Sequence, residues 1–218
     1  MTVKAPLPPR PPEVGEFLGV VDAGHVVRDR LVEESELAGL KLGAAALHNL
    51  RLREARLRSV DLTEATLAGL DIADVVVRDG SWANAGAEQA TLARLDAVGL
   101  RATGLRLSEA RLTDCTFADC RLDLASFRAA ELERVAFVDC RLEETDFRGA
   151  TLRSVRFERC ALTGADLQGA RFERSEIRSC ELVGLNGVER LSGTRMPWPD
   201  VVQIAGLLAA ASGIDVVD

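Results

Sequence analysis

The sequence predicts an all-β solenoid whose coils have four sides, and three observations lead to this fold class. Hydrophobic or small residues recur at every fifth position through thirty consecutive pentads, from Leu37 to Leu182. Identical side chains recur at intervals of twenty residues. All seven prolines lie outside this repeat, at positions 6, 8, 9, 11, 12, 197 and 199, so none would interrupt a ladder of backbone hydrogen bonds.

The five-residue period fits neither regular element. It would alternate between the two faces of a strand, and it would drift by about 140° per step around a helix. The backbone must therefore turn a corner once in every pentad. Two residues before each pentad centre is a second series of small or aliphatic residues, such as Ala55, Val60 and Cys140, and none of the sixty positions is charged. Both series are predicted to point inward.

The twenty-residue interval indicates that four pentads complete one coil. Cysteine recurs at positions 120, 140, 160 and 180, and phenylalanine at 117, 137 and 157. Such residues would stack at the spacing of neighbouring strands, about 4.8 Å, in a solenoid whose coils contact only their neighbours. Seven and a half coils would give a rod about 36 Å long.

Side-chain volume is balanced between the two inward series. Trp82 is preceded by Gly80, and Ala97 by Leu95, so a large residue at one inward position is matched by a small residue at the other. A close-packed interior requires this compensation.

Several pentads resemble the A(D/N)LXX signature of the pentapeptide-repeat family. They include Ala165-Asp166-Leu167-Gln168-Gly169, Ala125-Ser126-Phe127-Arg128-Ala129 and Thr145-Asp146-Phe147-Arg148-Gly149. The resemblance covers residues 35–184 and implies a right-handed, four-sided parallel β-helix. Many pentads carry Arg, Glu or Thr where the motif prefers Asp or Asn, which leaves the inward pattern intact.

The N-terminal residues lack the pentad pattern. Residues 1–12 are predicted to form an extended, proline-rich tail, which is either inert or a ligand for a proline-binding partner. Residues 13–34 carry apolar side chains and are predicted to cap the first coil, because an open β-helix end exposes unpaired strand edges.

Residues 185–218 are predicted to form a capping and dimerisation segment. A helix is expected over about 200–212, before Gly213, and it is apolar nearly all round, so it needs cover on more than one side. One side would seal the last coil and the other would meet a second copy, as the family resemblance also implies. The alternative is a helix packed entirely against its own monomer. The predicted dimer-interface residues are Val201, Val202, Ile204, Leu207 and Leu208.

Composition excludes several classes of function. The net charge of −7 and the isoelectric point near 5.1 disfavour direct binding to nucleic acid or to an anionic membrane. No apolar run approaches the length of a membrane span, and residues 1–12 lack the apolar stretch of a signal peptide, so we expect a cytoplasmic protein. The five cysteines occupy small inward positions, which predicts reduced, structural thiols and no metal site.

No catalytic or cofactor-binding motif is present in the sequence. His25 and His48 have no recognisable nucleophile near them, and neither a glycine-rich phosphate loop nor a paired-acid motif occurs. A filled, insertion-free prism also lacks the concave pocket that catalysis needs. The sequence therefore predicts a non-enzymatic protein without catalytic, cofactor or metal residues.

The predicted function is that of a rigid rod that binds another protein. The family resemblance implies a DNA mimic that binds DNA gyrase or topoisomerase IV and protects against fluoroquinolones. Charge fits this poorly, because residues 36–184 contain 24 acids and 21 bases, whereas duplex DNA about 36 Å long carries about 21 negative charges. The alternative is a general adaptor scaffold with an unidentified protein partner.

Overall fold

The computed structural model describes residues 3–217. Met1 and Thr2 of the predicted tail and Asp218 of the predicted C-terminal segment lie outside the described residues. Within this range thirteen strands form one parallel sheet, with three helices and one 3-10 turn at Val188–Arg190. The strands are β1 Gly19–Val20, β2 Leu31–Glu33, β3 Ser35–Ala38, β4 Arg51–Arg58, β5 Asp71–Arg78, β6 Thr91–Val98, β7 Arg111–Ala118, β8 Glu131–Val138, β9 Thr151–Arg153, β10 Arg156–Glu158, β11 Arg171–Glu173, β12 Ser175–Arg178 and β13 Thr194–Arg195. The helices are α1 Ala23–Asp29, α2 Trp198–Gln203 and α3 Ala205–Ala211.

Successive coils pair with an offset of twenty residues, as predicted. The eight-residue strands β4 to β8 each cover two sides of a coil, and single parallel bridges such as Asp61↔Ser81 and Thr66↔Gly86 link the other two sides. We number the walls by their pentad centres: the first contains Leu52, the second Leu57 and the third Leu62. The fourth contains Leu67, and each wall continues at every twentieth residue. The predicted right-handed, four-sided parallel β-helix is confirmed.

The interior is filled by the two inward series. All thirty predicted centres are buried. Phe137 stacks on Phe117 and Phe157 with ring centroids 5.2 and 5.1 Å apart, close to the coil spacing. Rings of the opposite wall, Phe127 and Phe147, meet Phe137 edge-on at 5.8 and 6.4 Å. This stack continues the core of the rod from coil to coil.

Each corner is made by one residue in the left-handed backbone conformation. The last residue of every pentad from Glu34 to Gly184 has a φ between 43° and 72°. Most of these residues are not glycine; Leu124, for example, has a φ of 59°. Because an L-residue rarely adopts this conformation, its recurrence in every pentad shows that the coil geometry imposes it. The side chains at these corners form columns along the four edges of the rod.

The solenoid extends beyond the predicted limits at both ends. The predicted cap over residues 13–34 already contains strand β2, which pairs with β4, and Val32 is a further buried centre, five residues before Leu37. The charged Arg30, two residues before Val32, hid this pentad in the sequence. At the other end β13 pairs with β12. The second wall thus stacks ten strands, and the nine intervals correspond to a rod about 43 Å long.

The single helix predicted over 200–212 is divided into α2 and α3. The break lies at Ile204, whose φ of −107° and ψ of 10° are not helical. Ile204 is fully buried, and side chains of α2 bond to the last coil, so α2 is held on the end of the rod while α3 packs against the 3-10 turn at Val188–Arg190. No helix within residues 3–217 is long and apolar enough to cross a membrane.

Candidate functional site

The walls of the rod carry many ion pairs between neighbouring coils. Arg94 donates two hydrogen bonds of 2.6 and 2.5 Å to Asp74, and Arg159 binds Asp139 in the same way at 2.7 and 2.8 Å. Sixteen of the 24 acids in residues 36–184 lie within 4.0 Å of an arginine nitrogen. Most wall charge is therefore neutralised within the molecule.

The acids without such a partner within the described range are concentrated on one side of the rod. Of the eight, six lie on the third wall or on its edges with the second and fourth walls. We call these six the third-wall acids: Asp61, Glu64, Asp79, Asp119, Glu144 and Glu181. Hydrogen bonds from the Thr63 side chain and backbone N–H lower the pKa of Asp61. Arginines at positions 101, 121 and 141 interrupt this acidic surface.

The proline-rich segment lies against the rod. Residues 5–13, which we call the strap, run along the edge between the first and second walls towards the N-terminal end. The strap begins beside Ser154 and Glu176, and the backbone N–H of Arg10 donates to Asp114 at 3.1 Å. The N–H of Glu13 donates to Asp74, also at 3.1 Å. The segment is thus not a free tail.

The strap contacts a column of corner residues of alternating charge, which we call the edge column: Asp74, Arg94, Asp114 and Arg134. Arg134 donates to Asp114 at 2.7 and 3.0 Å, as Arg94 does to Asp74. The Arg94 hydrogen bonds lower the pKa of Asp74. Burial opposes the ionisation of Asp114, but hydrogen bonds from Arg134 and the Arg10 N–H outweigh it and lower its pKa. Both carboxylates are therefore held ionised.

The edge column is not predicted from the sequence, although the sequence contains a signal for it. Asp recurs forty residues apart at positions 74 and 114, and Arg at 94 and 134. Prolines at 6, 9 and 12 recur at intervals of three. Only the coil geometry shows that both patterns lie on the same edge of the rod.

The C-terminal end is closed by side chains that replace the backbone of a further coil. The N–H of Ser179 donates to Asp200 at 2.7 Å, and the N–H of Leu182 donates to the Gln203 side chain at 3.3 Å. The Gln203 amide donates to the carbonyl of Cys180 at 3.1 Å. Three backbone groups that would pair with the next coil are thus satisfied, which blocks addition of another strand.

The predicted dimer-interface residues do not share one environment. Ile204 is fully buried against the core, where it caps its own monomer. Val201 and Leu208 are half-buried. Val202 and Leu207 are exposed, together with Trp198, whose relative exposure is 74%. An apolar surface of Trp198, Val202 and Leu207 therefore remains at the C-terminal end.

Two family models match the repeat. The model described as "Pentapeptide repeat region" matches residues 110–186, and "Pentapeptide repeats (8 copies)" matches residues 41–79. Together they cover more than half of the 218 residues. The chain belongs to the pentapeptide-repeat family.

The chain is also similar to solved structures. Full-length QnrB1, a plasmid-mediated fluoroquinolone resistance protein, is 15% identical over 89% of this chain and 95% of that chain, with a TM-score of 0.41. HetL, a pentapeptide-repeat protein involved in heterocyst differentiation regulation from the cyanobacterium Nostoc, is 20% identical over 82% of this chain and 98% of that chain, with a TM-score of 0.30. No curated protein matches the chain.

The cysteines of this pentapeptide-repeat protein are free and buried at all five positions. Burial raises the pKa of Cys115 to about 12. The thiols of Cys140 and Cys160 donate to backbone carbonyls of Phe117 and Phe137, at 3.3 and 3.4 Å. Among the residues that the structure describes, no group of three His, Cys, Asp or Glu side chains could hold a metal ion.

The two histidines lie at the N-terminal part of the rod. His25 is half-buried on α1, and its Nδ1 lies 3.1 Å from Asp29. His48 is exposed on the fourth wall. The structure places each beside polar groups or solvent.

Proposed function

We propose that this pentapeptide-repeat protein is a non-enzymatic, cytoplasmic rod that binds another protein along its walls. The observation that carries the proposal is the combination of a filled interior with flat walls whose charges are largely paired. All thirty pentad centres are occupied by buried side chains, so binding partners have access only to the outer surface. Rigid walls of this kind suit recognition by shape and charge, since little conformational entropy is lost on binding.

We also propose that two copies associate through their C-terminal ends. Trp198, Val202 and Leu207 expose apolar surface there, and aromatic and aliphatic side chains are typical anchors of protein interfaces. The same patch on both copies would form an isologous contact. The dimer would be a rod about twice as long, with its walls free.

DNA gyrase or topoisomerase IV is the narrower candidate partner. The third-wall acids support it, because they are the largest group of unpaired acids on one side of the rod. The protein would then act as a DNA mimic that protects the enzyme against fluoroquinolones. The arginines between these acids favour the alternative, a general adaptor, since a mimic of duplex DNA needs an uninterrupted negative surface.

A supercoiling assay tests the topoisomerase proposal. DNA gyrase is assayed with and without the protein, in the presence and absence of a fluoroquinolone. We expect the protein to reduce supercoiling and to protect against the drug, and the double variant Glu64→Gln/Glu144→Gln to weaken both effects. Glu54→Gln/Glu109→Gln is the charge-matched control, since it also removes two negative charges, at the two remaining acids without an arginine partner, both away from the third wall. A wild-type protein without effect on either activity would exclude the DNA mimic and leave the adaptor.

A further inference from the structure

The strap has a three-residue pattern of hydrogen-bond donors. Residues 6–13 read Pro-Leu-Pro-Pro-Arg-Pro-Pro-Glu, so the backbone N–H groups in this stretch belong only to Leu7, Arg10 and Glu13, since proline has none. Residues that are proline or precede proline favour the extended, left-handed polyproline II conformation, which has three residues per turn. All three N–H groups would then lie on the same side of the strap.

The strap and the rod have matching repeat distances. Three residues of polyproline II advance about 9.3 Å, and two coils advance about 9.6 Å. Accordingly, the N–H groups of Arg10 and Glu13, three residues apart, bond to Asp114 and Asp74, two coils apart. Pro6, Pro9 and Pro12 are half-buried, while Leu7, Pro8, Arg10 and Pro11 are exposed. The burial of the strap thus follows the same period.

The edge column is ordered to receive such a peptide. Each carboxylate is fixed by two hydrogen bonds from an arginine of the next coil. The side chains of Asp74 and Asp114 are only 15% and 5% exposed. One oxygen of each also accepts the strap N–H. Because the acceptors are held in place before the peptide binds, little entropy is lost in ordering them.

The hydrogen bonds between the strap and the corner residues end at Asp114. Two coils beyond Asp114 the corner residue is Ser154, and the strap residue at this level is Leu7. Residues 5–9 line a cavity here together with Val135, Arg156 and Glu176. The strap is therefore anchored by two donors and continues along the second wall without a further hydrogen bond to the column.

We propose that the edge column is a binding site for polyproline II peptides with a free N–H at every third residue, and that the chain's own strap occupies it in cis. A partner with a proline-rich segment of this pattern would displace the strap. The site requires neither the dimer nor a topoisomerase partner. The tethered strap has a high effective concentration, so a free peptide binds well only when the strap is released.

The test uses the full chain with the strap released. Arg10→Pro/Glu13→Pro removes both donors but retains the polyproline II conformation. Leu7→Pro is the matched control, since the Leu7 N–H is not hydrogen-bonded to the column, and Arg10→Ala/Glu13→Ala separates loss of side chains from loss of N–H. Binding of a fluorescein-labelled synthetic peptide of residues 3–16 is measured by anisotropy. We expect Arg10→Pro/Glu13→Pro to bind it at least tenfold more tightly than wild type, and both other variants to resemble wild type.

Two further measurements identify the acceptors and donors. Adding Asp74→Ala/Asp114→Ala to the released chain should weaken peptide binding at least tenfold. A peptide that itself carries Arg10→Pro and Glu13→Pro should not bind the released chain. This measurement does not use the Asp variants, so it tests the proposal even if those variants fail to fold. Failure of the released chain to bind the wild-type peptide, or equal binding of the donor-free peptide, would overturn the proposal. If hydrogen exchange of the Arg10 N–H slows as the protein concentration rises, the strap binds a second copy. That result would overturn the proposed occupancy in cis.

Discussion

At the residue scale, Phe137 shows how strongly each inward position determines the fold. It contacts four other rings in two columns and is completely buried. We expect Phe137→Asp to unfold the protein, because a charge would enter a dry core without a partner. Phe137→Leu, which keeps an apolar side chain, should remain folded and lose about 1–3 kcal/mol of stability. Thermal unfolding followed by circular dichroism measures both, and an unchanged melting temperature for Phe137→Asp would contradict the assigned register.

The five cysteines should be unreactive in the native protein. Their thiols are buried, and the pKa of Cys115 is raised to about 12, whereas an exposed thiol has a pKa near 8.5. Raising the pH from 7 to 9 should therefore accelerate labelling of a small thiol control much more than labelling of Cys115 in the folded protein. Titration with a chromogenic disulfide reagent should detect five thiols only in denaturant. Rapid native labelling of Cys140 or Cys160, or an intrachain disulfide, would show that these side chains do not point inward.

Residues differ in how well sequence alone determines their place. Inward positions such as Phe137 could be predicted, since their polarity is restricted in every pentad. Corner residues could not, because the left-handed conformation is imposed on residues as different as Leu124 and Arg94. The pairing of Arg94 with Asp74 depends on the direction in which a corner side chain leaves the backbone. This direction follows from the coil geometry and has no signature in composition.

At the element scale, α2 supplies hydrogen-bond partners for backbone groups of the last coil. Asp200→Ala/Gln203→Ala would leave two N–H groups and one carbonyl of the final coil without partners, and each lost bond costs about 0.5–1.5 kcal/mol. We expect a lower melting temperature and concentration-dependent end-to-end association, measured by calorimetry and light scattering. Asp215→Ala, an exposed acid beyond α3, controls for charge. A double variant as stable and monodisperse as this control would exclude the capping role.

The division of the predicted C-terminal helix follows from the same contacts. A nearly uniform apolar sequence over 201–211 predicts one continuous helix, and the sequence cannot indicate that Gln203 bonds to the last coil while Ile204 fills its end. Tertiary contacts at these two residues outweigh the local preference for helix. The sequence shows that Asp200 and Gln203 are polar, but it does not show which groups of the last coil they bond to.

At the scale of the whole molecule, the dimer proposal predicts a specific dependence on the C-terminal surface. Wild type should have twice the monomer mass of 23.5 kDa in light scattering at micromolar concentration. Val202→Glu/Leu207→Glu should be monomeric and as stable as wild type, because both side chains are exposed. Phe17→Glu, at an exposed apolar residue near the other end, should leave the dimer unchanged. A monomeric wild type would exclude the dimer and with it the doubled rod.

The match between strap and rod restricts how this protein can change in length during evolution. Insertion or deletion of one coil changes the rod by about 4.8 Å, which corresponds to only about one and a half residues of polyproline II. A strap N–H would then lie opposite an arginine of the edge column instead of an aspartate. If two coils, or forty residues, are gained or lost together with three residues of the strap, every contact is preserved. We therefore expect naturally occurring length variants that keep a strap to differ in these coupled increments.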